Sequence, residues 1–204
     1  MSAAKKHLAA ADQVLGAFIR QHGPLKREPV RYTEPYHALL SAVAYQQLHA
    51  RAAEAILGRL KTLTGEAMPA PDALLALAPE QMRACGLSAS KTAAMRDIAE
   101  KTQSGVVPSR ARAARLSDAE LIERLTTIRG VGRWTVEMLL IFTLRRPDVF
   151  PVDDFGVREG FRILHGLDAQ PKPKAFAILG QAYAPYRSTA ALYLWRAADK
   201  AKEK

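Results

Sequence analysis

Apolar residues along this chain recur at the three- and four-residue spacing of a single helix face, and no segment shows the strict alternation of a half-buried strand. Leu15, Phe18 and Ile19 form the first stripe, which stops where Gly23 and Pro24 interrupt helical periodicity. Pro24, Pro29 and Pro35 make residues 23–35 an extended linker, because the residue before each proline is pushed out of the helical region. Two further helices are predicted, over 36–47 on Leu39, Leu40 and Val43, and over 50–63 on Ile56, Leu57 and Leu60. After a break at 65–71 the pattern predicts short helices around Leu74 and Met82 and a longer one over 90–102. Ser117, followed by Asp118 and Glu120, is a helix-start pattern ahead of Leu121, Ile122 and Leu125. The expected fold class is all-α, with short helices and brief connections.

Residues 77–98 and 116–141 echo one another, each reading as helix, glycine-bearing turn, helix. The second copy carries more chemistry. In Ile128-Arg-Gly-Val-Gly-Arg-Trp-Thr135, two glycines flank one apolar residue just before a helix bearing Met138, Leu139, Ile141 and Phe142. Gly130 and Gly132 permit positive φ and close backbone approach, while Val131 plugs the turn into the core. The unpaired N–H groups at the next helix start, beside Arg129, Arg133 and Thr135, suit a phosphate. Such a contact reads the backbone of a nucleic acid and not its base sequence. A simple tight turn between two helices is the alternative at this stage.

Composition narrows the partner. The 204 residues carry 30 Lys and Arg against 20 Asp and Glu, a formal charge of +10, which favours a polyanion, either nucleic acid or an acidic membrane surface. Hydrophobic residues at 49% and charged residues at 25% exclude a mainly disordered chain. The single cysteine, Cys85, cannot build a disulfide framework, a thiolate zinc site or a cysteine-ligated iron–sulfur cluster. His7, His22, His37, His49 and His165 lack metal-ligand spacing, so no side-chain metal site is expected. Asp12 and Gln13 break the apolar run behind Lys5 and Lys6, leaving no signal-peptide core, and no later run reaches membrane-spanning length. A cytoplasmic monomer, nucleoid-associated if bacterial and without a membrane partner, is expected.

Eighteen residues after Gly132 the chain reads Phe150-Pro-Val-Asp-Asp-Phe155 and enters a helix with Val157, Phe161, Ile163 and Leu164. The hairpin, Pro151 and the following aspartates together resemble the helix-hairpin-helix Gly/Pro/Asp (HhH-GPD) superfamily of base-excision DNA glycosylases. The resemblance covers most of the chain. Residues 36–60 look like the helix and loop that enter the minor groove in that family. Residues 185–195 look like the last helix of its DNA-3-methyladenine glycosylase II branch, here in a compact form without the N-terminal α/β domain of some members. It implies one HhH-GPD unit over 1–204, with a helical lobe over 36–115, a second lobe from 1–35 plus 116–204, and the active-site cleft between two closely packed lobes. Damaged double-stranded DNA is the implied partner.

The resemblance also implies roles. An aspartate stabilises the positive charge that develops on deoxyribose as the base leaves, and it orients or deprotonates the attacking water. Helix position places Asp153 as the cap and leaves Asp154 to face the cleft; the branch likewise assigns catalysis to the second aspartate, whereas the register of other branches favours Asp153. Members that also cut the strand carry a nucleophilic lysine just after the hairpin; Trp134 stands there and cannot form a Schiff base, so a monofunctional reaction leaving an abasic site is implied. Trp134 and Trp195 would line the base pocket, edged by Glu137, and favour cationic lesions such as 3-methyladenine and 7-methylguanine. Gln47 or Leu48 would fill the gap left by the extruded nucleotide, with His49 probing the minor groove. Lys91, Arg96, Lys101, Arg110, Arg112 and Arg115 would contact flanking phosphates or form a solvated face. No cofactor and no iron–sulfur cluster is implied, though a monovalent cation at the hairpin backbone remains compatible. A mismatch, uracil or hypoxanthine glycosylase and a non-catalytic DNA-binding module are the competing functions.

Overall fold

The helix-spaced pattern folds as helices, and no strand occurs among the residues described in this computed structural model, which are 2–26, 29–65 and 68–203. In chain order they are α1 (Ala3–Ala11), α2 (Gln13–His22), α3 (Pro35–Tyr45), α4 (Ala50–Thr64), α5 (Pro71–Ala76), α6 (Pro79–Ala84), α7 (Ala89–Gln103), α8 (Arg110–Ala113), α9 (Asp118–Leu125), α10 (Arg133–Met138), α11 (Phe155–Leu164), α12 (Pro173–Leu179) and α13 (Arg187–Lys202). A π-helical turn, Leu139–Thr143, continues α10, and a 3-10 turn, Gly180–Tyr183, follows α12. The first stripe lies wholly in α2, and a separate helix precedes it: Asp12 leaves helical geometry between α1 and α2, and its Oδ1 accepts the Leu15 N–H at 2.9 Å, capping α2. A residue that competes for backbone donors breaks the helix where the apolar spacing alone does not.

Residues 30–144 form one compact unit and residues 1–29 with 145–204 another. In the first, α3 is the central helix, with Leu39, Leu40, Val43 and Ala44 buried against α4, α7 and the π-turn. Ser117 and Glu120 form the expected capping box at the start of α9. The division differs from the sequence-based one, which put residues 116–144 in the other lobe. Long-range polar contacts decide it: Asp97 Oδ2 on α7 accepts the Arg129 N–H at 2.6 Å, Lys101 Nζ donates to Thr127 O, and Arg110 donates to Thr143 O at 2.9 Å.

The second unit is built on α11 against α13, with Leu8, Leu15, Phe18, Phe150, Val157, Phe161, Phe176, Tyr193 and Leu194 in its core. Gly160 makes the crossing possible, since a Cβ there would lie 1.8 Å from the Leu194 carbonyl oxygen. The capping aspartate of α2 also serves long range: Asp12 Oδ2 accepts the Tyr183 hydroxyl at 2.6 Å and lies 3.0 Å from His165 Nε2. Burial, with the Asp12 carboxylate beside it, pushes the Tyr183 phenol well above its usual range. The chain before α11 is pinned to the start of α13 by a forked Arg187–Asp148 ion pair at 2.8 and 2.9 Å and by Ser188 Oγ, which accepts the Val149 N–H at 2.9 Å.

Candidate active site

The hairpin forms as its glycines predict, with one refinement. Gly130 alone takes positive φ, at 73°, while Gly132 sits at −91° as the N-cap of α10. Val131 is buried, and Arg129, Gly130, Gly132 and Arg133 are exposed, so the turn presents backbone and guanidinium groups outward. Arg133 Nε bonds Glu137 at 2.9 Å, and Thr135 is buried. Glu137 is itself buried and is drawn into that ion pair.

Between α3 and α4 the chain makes a tight turn in which the Leu48 N–H reaches Tyr45 O at 3.2 Å. Gln46, at φ −53° and ψ 125°, and Gln47, at φ 56°, have the geometry of a type II turn. Glycine is the inexpensive residue at the second central position; a side chain in the left-handed region costs about 1–2 kcal/mol there. Gln47 occupies it and is exposed, as are Leu48 and His49. Gln46 Nε2 donates to Gly130 O at 2.9 Å, tying this turn to the hairpin.

Beside the turn lies a cavity of about 570 Å³ whose walls include Tyr45, Gln47, Lys91, Trp134, Thr135 and Met138. Its volume is in the range of small-molecule sites, about 300–1,000 Å³. Trp134, one of its walls, is 48% exposed. Tyr45, Met138 and Lys91 were not legible as cavity residues, because they come from three separated helices and only their packing brings them together.

In the other unit the helix cap is Asp154 and not Asp153, the residue that helix position suggested. Asp154, at 8% exposure, is the N-cap of α11, its Oδ1 accepting the Val157 N–H at 2.8 Å, whereas Asp153 lies exposed in the preceding turn. The cap therefore falls one residue later than expected, because Pro151 O accepts the Asp154 N–H at 3.0 Å and the turn closes there. Trp195 Nε1 also donates to Asp154 Oδ1, at 2.8 Å. Trp195 is thus an anchor of the carboxylate, a contact that spans 41 residues and that no local pattern announces. It packs over Gly156, where a Cβ would lie 2.8 Å from its ring. Phe155, the residue after this carboxylate, is 68% exposed, and its place among the apolar residues of the segment gave no sign of that.

A family model for HhH-GPD superfamily base excision DNA repair proteins matches residues 40–185, a span that includes the type II turn, the hairpin and both aspartates. The chain belongs to that superfamily. Among its relatives, this HhH-GPD chain is 43% identical to DNA-3-methyladenine glycosylase 1 of Schizosaccharomyces pombe over 96% of its own length and 87% of that protein. The solved structure of the S. pombe 3-methyladenine DNA glycosylase in complex with abasic DNA matches with a TM-score of 0.83 and 44% identity, over 96% of both chains. A DNA-3-methyladenine glycosidase from Bacillus halodurans matches with a TM-score of 0.89 and 35% identity, over all of this chain and 92% of that one. The HhH-GPD chain thus carries an exposed hairpin, a half-exposed tryptophan after it, and a buried aspartate that accepts the Val157 and Trp195 N–H groups.

Proposed function

We propose that this chain is a monofunctional DNA glycosylase that extrudes alkylated purines such as 3-methyladenine from duplex DNA and hydrolyses their N-glycosidic bond, leaving an abasic site. The observation that carries the reading is the Asp154 carboxylate, 8% exposed and oriented by two N–H donors, Val157 N and Trp195 Nε1, in a chain of this superfamily. As the C1′–N bond breaks, its electron pair leaves with the base and positive charge spreads over C1′ and the ring oxygen. A carboxylate held in place and shielded from water lowers the energy of that state more than that of the neutral sugar, so it accelerates the step. Water then adds at C1′, with Asp154 orienting it and taking up its proton.

Trp134 in place of a lysine leaves no amine after the hairpin to attack the sugar, which supports water as the nucleophile. The exposed indole suits a cationic purine, because a cation over a π face gains about 0.5–2 kcal/mol and an alkylated base is already a good leaving group. The exposed hairpin at Arg129–Gly132 is the proposed contact to the lesion strand backbone, and Gln47 the proposed filler of the vacated stack. The chemistry so described uses water and side chains and calls for no cofactor.

Asp154→Asn tests the reading cleanly, because asparagine also caps helices and so removes charge with little change of shape. We expect release of 3-methyladenine and 7-methylguanine to fall at least about a hundredfold, the scale of losing a main transition-state charge stabiliser, with duplex binding retained. Asp153→Asn should remain within about threefold of the wild type, as expected of an exposed side chain. The opposite pattern moves catalysis to Asp153. Release of uracil or hypoxanthine and not of methylated purines from a panel of duplexes would overturn the substrate assignment, and a borohydride-trapped covalent adduct would overturn the attack by water.

A further inference from the structure

Lys91 stands near the start of α7, where the charge pattern suggests a phosphate contact. The structure turns it inward. Its Nζ donates to Gln46 O at 2.7 Å and to Ala44 O at 3.0 Å, 45 and 47 residues away. Burial pushes the ammonium below its usual pKa, yet the two carbonyls give it partners at the C-terminal end of α3, where helix geometry supplies no backbone donor.

Gln46 O is the oxygen of the central peptide of the Tyr45–Leu48 turn. Type I and type II turns differ by a flip of that peptide, and only the type II form sets the following residue at positive φ. A bond to this oxygen therefore selects between the two. It holds Gln47 at φ 56°, a conformation that glutamine does not choose unaided. Retaining a non-glycine residue there against its local preference points to a use for the side chain. The second tether, from Gln46 Nε2 to Gly130 O, fixes the same turn to the hairpin.

We propose that Lys91 is a positioning residue for base extrusion, its ammonium locking the type II turn so that Gln47 is held outward to enter the stack vacated by the lesion. The proposal rests on the reading of Gln47 as the filler of that gap. Preorganisation is the physical gain: a side chain already in place loses little freedom when it inserts, whereas one on a flipping turn must be ordered each time. Lys91 touches neither base nor sugar in this scheme and acts through the backbone of Gln46.

The test compares two substrates under single-turnover conditions. One is an intact duplex with a single 7-methylguanine paired to cytosine; the other carries the same lesion as a one-nucleotide bulge. A bulged base is cheap to extrude and leaves no gap to fill, so neither Gln47 nor Lys91 should matter there. Gln47→Ala and Lys91→Met are each expected to slow excision from the intact duplex by about tenfold or more, as for loss of a charge-assisted hydrogen bond, and from the bulge by less than about threefold. In the Gln47→Ala background Lys91→Met should add almost nothing, since residues acting through one another are not additive. A loss of equal size on both substrates, an additive loss in the double variant, or no loss for Lys91→Met with Gln47→Ala impaired on the intact duplex overturns the proposal. If Gln47→Ala shows no duplex-selective loss, the gap-filler reading fails and the Lys91 proposal falls with it. Thermal melting accompanies each variant; should Lys91→Met not fold, Lys91→Gln, which keeps an amide donor on a shorter stem, carries the same comparison.

Discussion

Asp154 performs two tasks at one oxygen, closing the first turn of α11 and accepting the Trp195 indole N–H. A carboxylate proposed to stabilise a developing cation must not swing away from it, and both bonds restrain it. Trp195→Phe isolates the second restraint, keeping an aromatic ring over Gly156 and removing the donor. We expect kcat to fall about tenfold, the equivalent of one hydrogen bond to a charged group, with duplex binding unchanged. A loss confined to substrate binding would instead make Trp195 a contact of the base, the role its resemblance to the family implied. The cap reads differently in sequence and structure for a simple reason. Helix position favours Asp153, but the proline turn before the pair closes one residue later, so Asp154 meets the first helical N–H groups.

At the scale of elements, the site depends on how closely α11 approaches α13, because Asp154 begins one helix and Trp195 lies on the other. Gly160 sets that distance. Gly160→Ala would drive a methyl into the Leu194 carbonyl, at 1.8 Å, and we expect it to cost at least about 1–3 kcal/mol in chemical denaturation, the scale of overpacking, along with most of the activity. Gly58, inside α4, is the contrast: an added Cβ meets nothing within 4 Å, so Gly58→Ala should stabilise by about 0.5–1 kcal/mol. Helix periodicity alone ranks these two glycines alike. The helices themselves were legible, including the Ser117 start and the breaks at prolines, since spacing and caps are local properties; the division of α1 from α2 at Asp12 was not, because apolar spacing carries no record of a cap.

For the whole molecule, part of the basic surplus of +10 also ties segments of the fold together. Lys91, Arg96, Lys101 and Arg110 all donate to backbone carbonyls of distant segments, at Gln46, Leu77, Thr127 and Thr143 among others. These cations hold the unit of residues 30–144 together. The dependence of duplex affinity on salt should therefore respond selectively. Arg129→Ala, at the exposed hairpin, should lower the slope of log K against log salt by about one. Arg110→Ala should leave the slope unchanged and lower the melting temperature. Equal changes of slope for the two would place Arg110 on the DNA as well.

The sequence by itself determined the helical class, the glycine hairpin, the proline–aspartate turn and the tryptophan that replaces a lysine after it. Each is a matter of residue type at short spacing, and short spacing is what local backbone chemistry constrains. Only the structure decided which aspartate caps α11 and is buried, that Trp195 anchors it, and that Lys91 bonds the turn bearing Gln47. The cap follows from the closure of the Pro151 turn, and the other two facts rest on contacts between residues 41 to 47 positions apart, made by packing helices together, which no periodicity along the chain encodes.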